Sequence, residues 1–345
     1  MNGTNMALKI SLVCTVRDEA DNITQLLESM IGQSRPADEI VINDCNSHDD
    51  TALIIQSYID VGYPIRLVKG GYNIPSGRNN AIFHASGDII ACTDAGLLLD
   101  RHWLRRIIAP LIKDESDVAG GFFRPLPRSV FELALGNTNY RDADEIDGAK
   151  FLPFGKSVAF TKFAWERVSG YPEWATHCED VLYDLALQNA GMRFVFVENA
   201  IVHFQPRANL RQFARQYYLY ARGDAVAGLW PRRHAIRYAV YGGALVLASL
   251  GGLAWLLLAI CIGGYCLMPC VRLWRRFGEG VNGWQTVAAM GLVPWLRVVG
   301  DLAKMVGYVA GWVRLAQNPI IRREREDWMK AHLAVAPSHS SATGD

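Results

Sequence analysis

Ile10-Ser11-Leu12-Val13-Cys14-Thr15-Val16, followed at once by Arg17-Asp18-Glu19, decides the fold. Seven β-favouring residues end in charge, and Ile23, Leu26, Leu27 and Met30 then recur at helical spacing, which predicts a strand, a polar loop and a helix. The pattern repeats. Glu39 to Ile42 reads as a second strand ending in the loop formers Asn43-Asp44-Cys45-Asn46-Ser47, before a helix from Thr51 to Ile59. Ile65 to Val68 is a third strand, Ser76-Gly77-Arg78-Asn79-Asn80 opens another helix, and Ile89 to Cys92 is a fourth strand closed by Thr93-Asp94-Ala95-Gly96. Strands alternating with helices predict an α/β domain with a mostly parallel sheet, whose ligands gather at the carboxyl ends of the strands. The Arg17 to Glu19 cluster, Asp44 and Asp94 all fall at such ends. Strand ends are polar in any case because loops face water, but three of them together favour one functional crevice.

Gly120 to Phe123 and Phe160-Thr161 read as strands around a polar insert, Asn137 to Lys150, either a mobile acceptor loop or an ordinary solvated one. Glu179-Asp180 opens a helix from Val181 to Asn189, and an acidic first turn also suits the helix dipole. Phe194 to Val197 and Ala200 to Phe204 read as short strands flanking Glu198-Asn199, the second carrying His203. Carboxylates and a late histidine on an α/β domain suggest a metal-bound, phosphate-bearing substrate. The formal net charge of +1 gives no ground for a nucleic-acid partner. Seven cysteines without a Cys-x-x-Cys pair signal neither a disulfide framework nor a zinc knuckle, which favours a reduced compartment. Lys9 leads directly into a strand with no secretory leader, so the catalytic domain is expected in the cytoplasm.

Charge alternates with short apolar runs up to about Arg237; beyond it, Tyr238 to Val271 contains no Asp, Glu, Lys, Arg or His. As one straight helix at ~1.5 Å per residue it would be roughly 51 Å long, against a hydrocarbon core of about 30 Å. The choices are one tilted helix with interfacial ends or a hairpin bent near Gly251-Gly252 or Gly263-Gly264. Arg232, Arg233 and Arg237 before the run, with Arg272, Arg275 and Arg276 after it, favour the hairpin and suggest contact with anionic headgroups. Thr286 to Leu315 carries Arg297, Asp301 and Lys304 on one helical face, as in an interfacial helix or a span with a polar side turned toward protein. Arg322 to Lys330 reads as a charged cytoplasmic tail and Pro337 to Asp345 as disordered. The expected division is a catalytic domain over 1–230, membrane helices over 231–320 and a tail over 321–345, at an inner or plasma membrane.

Thr15-Val16-Arg17-Asp18-Glu19-Ala20-Asp21-Asn22-Ile23, Asp44-Cys45-Asn46-Ser47-His48-Asp49-Asp50-Thr51, Gly77-Arg78-Asn79-Asn80-Ala81, Thr93-Asp94-Ala95-Gly96 and His177-Cys178-Glu179-Asp180 form a shared pattern. Over residues 8 to about 225 they resemble the family 2 glycosyltransferases, whose catalytic domain has the GT-A fold. Asp18 stands where Asn is more usual, Cys45 and Asn46 where Gly is common, and Gly96 replaces the second carboxylate of the family's Asp-x-Asp motif. The resemblance implies a UDP- or GDP-linked sugar donor held by Thr15, Arg17, Glu19, Asp44, Arg78, Asp94 and Arg222, with Asp44 and Glu19 on the base and ribose. It implies a divalent cation, Mn²⁺ or Mg²⁺, on Asp94 and His203. Asp180 would be the catalytic base with Glu179 orienting, and Trp174 and His177 would meet the acceptor. Arg215 to Asp224 resembles the segment that closes the site, without the Gln-x-x-Arg-Trp of processive synthases, so single transfer is expected. The implied activity is inverting transfer to a hydroxyl of a lipid-linked or cell-envelope glycan. Transfer to a polyprenyl phosphate and a non-catalytic, nucleotide-sugar-binding membrane protein are the alternatives. A nucleotidylyltransferase is disfavoured because Cys14 to Asn22 contains no Gly.

Overall fold

Leu12 and Val13 are both buried, as are Val41 and Ile42, so the sheet that these strands build is covered on both faces. The computed structural model describes residues 8–278 and 280–333. In chain order the elements are β1 (Ile10–Val16), α1 (Ile23–Ile31), β2 (Glu39–Asp44), α2 (Thr51–Asp60), β3 (Ile65–Lys69), α3 (Ile74–His84), β4 (Ile89–Asp94), β5 (Leu97–Leu99), α4 (Trp103–Ile112), β6 (Val118–Pro125), α5 (Val130–Asn139), β7 (Ser157–Thr161), α6 (Lys162–Arg167), α7 (Glu179–Asn189), β8 (Phe194–Phe204), α8 (Leu210–Ala227), α9 (Pro231–Leu250), α10 (Leu253–Arg275), α11 (Gly283–Gln317) and α12 (Pro319–Leu333). The chain divides into two compact units: one holds the described residues up to Arg124, Ile146–Phe204 and those from Glu324, the other Pro125–Glu145 and Gln205–Arg323.

In the first unit the strand order is β3-β2-β1-β4-β7-β6-β8-β5. The expected parallel half is β3-β2-β1-β4. β4–β7, β6–β7 and β5–β8 pair antiparallel, which makes the whole sheet mixed. Val13, Val41, Ile90 and Cys92 of the sheet pack with Ala81 and Ile82 of α3 and Tyr183 and Leu187 of α7. β2 and β4 run two residues further than their apolar cores suggest, because pairing continues to Val16↔Asp44 and Thr15↔Asp94. Both carboxylates therefore sit on the last residue of a strand, on either side of β1. Glu198-Asn199 does not divide β8 as the sequence reading expected; both side chains are exposed while the backbone stays extended. The stretch expected to be a charged tail is helical, and Trp328 joins the core of this unit. The reading of Pro337 to Asp345 lies outside the described residues.

The second unit is helical. Gly251 and Gly252, with φ of +67° and +55°, break the uncharged run into α9 and α10. Tyr241 of α9 and Tyr265 of α10 both donate to Asp301 Oδ2 of α11, which folds the two as a hairpin. α10 and α11 are long and apolar enough to cross a membrane, and the most apolar window of α10 is only 11% buried, unlike the core helix of a soluble protein. Gly300, Gly307 and Gly311 bring α11 against α8: a Cβ on Gly307 would collide with the Tyr218 carbonyl, and one on Gly311 with that of Arg222.

Four of the six flanking arginines pair with carboxylates, whereas Arg232 and Arg233 are exposed. Arg272 pairs with Glu145 at 2.7 Å, Arg275 with Asp144 at 3.0 Å, Arg276 with Asp142, and Arg237 with Asp301 at 3.0 Å. The acidic insert is thus the partner of the arginines that follow the apolar run. Asp301, buried and shared among Arg237, Lys304 and the two tyrosines, ties three helices together. Removing one member of such a cluster leaves uncompensated buried charge, at about 3–5 kcal/mol. Asp301→Ala is expected to lower the melting temperature of detergent-solubilised protein sharply, and an unchanged melt would contradict this role.

Candidate active site

Three loops at the carboxyl edge of the parallel strands hold residues in the left-handed region: Asp18 (φ 52°), Asn46 (φ 58°) and Gly96 (φ 72°). Asp and Asn tolerate this conformation better than other non-glycine residues. Asp18 also links two loops, because its Oδ1 accepts from the His48 N–H at 2.7 Å while its own N–H donates to Ser47 Oγ at 3.0 Å. Glu19 N–H donates to Thr51 Oγ1 at 2.8 Å. Asp44 is buried, and its Oδ1 accepts from both the amide and the hydroxyl of Ser47 at 2.9 and 2.6 Å. At Gly96 a Cβ would meet only Glu19 Oε2 at 3.9 Å. Conformation, not space, therefore favours glycine there, and Glu19 lies beside the loop that follows Asp94.

α3 supplies the centre. Asn73 caps it reciprocally with Ser76, its side chain accepting from the Ser76 N–H and Ser76 Oγ accepting from the Asn73 N–H. Three consecutive residues then project in different directions. Arg78 reaches Asp94 Oδ1 at 2.8 Å and lies 3.5 Å from Glu179 Oε1, with its guanidinium over the Tyr171 ring at 4.8 Å. Asn79 accepts from the Tyr171 N–H and Trp165 Nε1 and donates to the Tyr171 carbonyl and Glu173, which clamps the Tyr171–Trp174 loop. Asn80 donates to Asn43 Oδ1 at 2.6 Å. The Arg78 side chain is 3% exposed and that of Asp94 43%. Burial opposes the charge of Arg78, but Asp94, Tyr171 and Glu179 hold it firmly protonated. Its Nη1 is the nitrogen that pairs with Glu179 and makes no hydrogen bond among the described residues.

The acidic pair opens α7, preceded by Cys178 at φ 61°. This costs backbone strain of the kind concentrated at functional sites. Glu179 is buried and turned toward Arg78, whereas Asp180 is half-buried and accepts at 3.4 Å from the Gly155 N–H. Gly155 also lies against Arg78, where a Cβ would come within 2.9 Å of Nη2. Burial, then the neighbouring Asp180 charge, push the Glu179 carboxyl from its ordinary 4.5 up to about 7, against the pull of Arg78. A raised carboxyl keeps its proton in the folded state where the unfolded chain has already lost it, so its contribution to stability declines as pH rises from about 4.5 to about 7. Melting curves across that window should show Glu179→Gln removing much of the decline. An identical slope in both proteins would contradict the assignment.

The structure thus gathers Glu19, Arg78, Asp94, Glu179 and Asp180 and places Asp44 at the same sheet edge. Thr15, next to last in β1, has a buried Oγ1 with no hydrogen-bond partner among the described residues, and Arg17 is exposed beside Asp18. Trp174 meets Trp328 edge-on, and His177 Nδ1 lies 3.1 Å from Thr176 Oγ1. His203 lies on β8 opposite Leu98 of β5, with Nδ1 buried and unpartnered among the described residues. Burial lowers its pKa, which favours the neutral, ligating imidazole. Among the described residues, no three His, Cys, Asp or Glu side chains gather into a group able to hold a metal ion by themselves. Arg222 belongs to the helical unit. Asn79 lay inside a motif and Tyr171 in the segment leading to Trp174, each without a role of its own, and Gly155 escaped the sequence reading; for Gly155 no local signal exists, since what matters is its approach to Arg78, 77 positions away.

A family model described as glycosyl transferase family 2 matches residues 11–168. No curated protein matches the chain. Similar solved structures include the mannosyltransferase PcManGT from Pyrobaculum calidifontis in complex with GDP-Man and Mn²⁺, at TM-score 0.52 and 16% identity over 91% of this chain and 88% of that one. They also include S. aureus TarS 1-349 in complex with UDP, at TM-score 0.46 and 16% identity over 90% of this chain and 92% of that one. At 16% identity the likeness to PcManGT is one of fold.

Proposed function

We propose, from the premise that residues 11–168 belong to glycosyl transferase family 2 and share its GT-A fold, that this membrane-associated chain is an inverting glycosyltransferase. It moves a sugar from a UDP- or GDP-linked donor to a hydroxyl of a lipid-linked or cell-envelope glycan. The observation that carries the reading is Arg78: a buried guanidinium, held by Asp94 at 2.8 Å and facing Glu179 at 3.5 Å, at the edge where Asp44, Glu19 and Asp94 converge. A guanidinium suits phosphate oxygens. PcManGT was solved with GDP-Man and Mn²⁺, consistent with a nucleotide-sugar donor here.

Thr15, Arg17, Glu19 and Asp44 would hold the nucleoside. Asp94, with His203 as a second candidate ligand, would hold Mn²⁺ or Mg²⁺, whose role is to offset diphosphate charge. One or two protein ligands suffice where phosphate oxygens and water complete the shell. Asp180, the more open of the acidic pair, takes the proton of the acceptor hydroxyl as its oxygen bonds to the anomeric carbon. The bond from that carbon to the diphosphate breaks, and Arg78 meets the charge of the leaving nucleoside diphosphate. Glu179 orients Arg78, and Trp174 and His177 face the acceptor. Seven free cysteines accord with a cytoplasmic catalytic unit at an inner or plasma membrane. A polyprenyl phosphate is the second acceptor reading, favoured by the little-buried apolar helix α10. Anomeric analysis of the product by NMR tests the stereochemistry: inversion relative to the donor is expected, and retention would contradict a single displacement.

A further inference from the structure

The helical unit holds a groove of about 1040 Å³ between α8 and the second half of α11. Its apolar strip is Leu302, Val306 and Val309, all exposed. Arg222 and Arg314 line it as well, with Tyr218 beside Arg222. The two arginines are neighbours through the glycine seam, because Gly311 abuts the Arg222 backbone and Arg314 follows one helical turn later. Elsewhere in this unit arginines with a structural task meet carboxylates, as Arg237 meets Asp301 and Arg272 meets Glu145. Among the described residues, no carboxylate lies within ion-pair distance of Arg222 or Arg314.

Two half-buried guanidinium groups without counter-ions, at the edge of an apolar strip on a helix long enough to cross a membrane, describe an amphiphilic ligand of negative charge. We infer that this groove binds an anionic phospholipid, its phosphate between Arg222 and Arg314 and its acyl chain along Leu302, Val306 and Val309. A soluble partner would leave the strip unexplained, and a neutral lipid would leave the arginines unexplained. The site lies within the helical unit and does not depend on the reaction assigned above.

Native mass spectrometry of the full chain in detergent, titrated with phosphatidylglycerol or phosphatidylcholine, tests this. The wild type should bind one phosphatidylglycerol about tenfold or more tightly than phosphatidylcholine, given the roughly additive pull of two basic groups on an anionic headgroup. Arg222→Gln with Arg314→Gln should abolish that preference, while Arg222→Lys with Arg314→Lys should keep most of it. Leu302→Gln with Val306→Gln should weaken both lipids and so provides a separate test should the arginine variants fold poorly. Equal binding of the two lipids by the wild type, or an unchanged preference in the double Gln variant, would overturn the inference. Displacement of the phospholipid by millimolar inorganic phosphate would also overturn it, in favour of a free-anion site.

Discussion

Asp180→Asn is expected to lower turnover by about 10²–10⁴-fold, the usual contribution of a positioned general base, with donor affinity nearly unchanged. The asparagine keeps size and the capacity to accept from the Gly155 N–H, so the variant removes proton acceptance and little else. The measurement is kcat at saturating donor and acceptor, alongside calorimetric donor binding. Near-normal turnover would remove Asp180 as base. It would move the acceptor assignment to a polyprenyl phosphate, whose ionised oxygen attacks without losing a proton.

Arg78→Ala is expected to be the most damaging single change in the first unit. Arg78 is the shared cation of Asp94 and Glu179 and lies over Tyr171. Its loss leaves two carboxylates facing a buried site, at about 3–5 kcal/mol, and removes the group proposed to meet the diphosphate. Because Arg78 is what draws the Glu179 carboxyl downward, the variant should also suffer more as pH rises toward neutrality. Denaturant unfolding at pH 5 and pH 7 reads both effects. A variant that unfolds like the wild type at both values and binds nucleotide normally would contradict the central role of Arg78.

The parallel half of the sheet was legible because β1 to β4 are short apolar runs punctuated by charge, and their period survives any tertiary context. Gly251-Gly252 was one of two places where the sequence allowed a bend; the other, Gly263-Gly264, lies inside α10. What lay hidden was long-range. The acidic insert and the arginines after the apolar run each read as solvent- or headgroup-facing until the fold pairs Asp142, Asp144 and Glu145 with Arg276, Arg275 and Arg272. The glycine seam of α11 was visible as letters at 300, 307 and 311, but only α8 gives it a purpose. Glu198-Asn199 shows the limit of reading polarity as a break, since exposed side chains leave a strand's backbone undisturbed. In the site, the carboxylates and Arg78 were named by motif. Asn79 lay in a motif with no role given to it and Gly155 in none, because their work is to hold neighbours distant in sequence. Gly96 was visible as a missing carboxylate, and the fold adds that its backbone is left-handed, which glycine adopts without strain.

The most direct test is calorimetric titration of detergent-purified full-length protein with UDP, GDP and their common sugars, with and without Mn²⁺, beside Asp94→Ala and His203→Ala. One nucleotide class is expected to bind, with Mn²⁺ strengthening the binding and Asp94→Ala abolishing this gain; loss in His203→Ala as well would place the imidazole on the cation. No binding of any nucleotide or nucleotide sugar, with or without metal, would contradict the assignment of this crevice to a glycosyl donor.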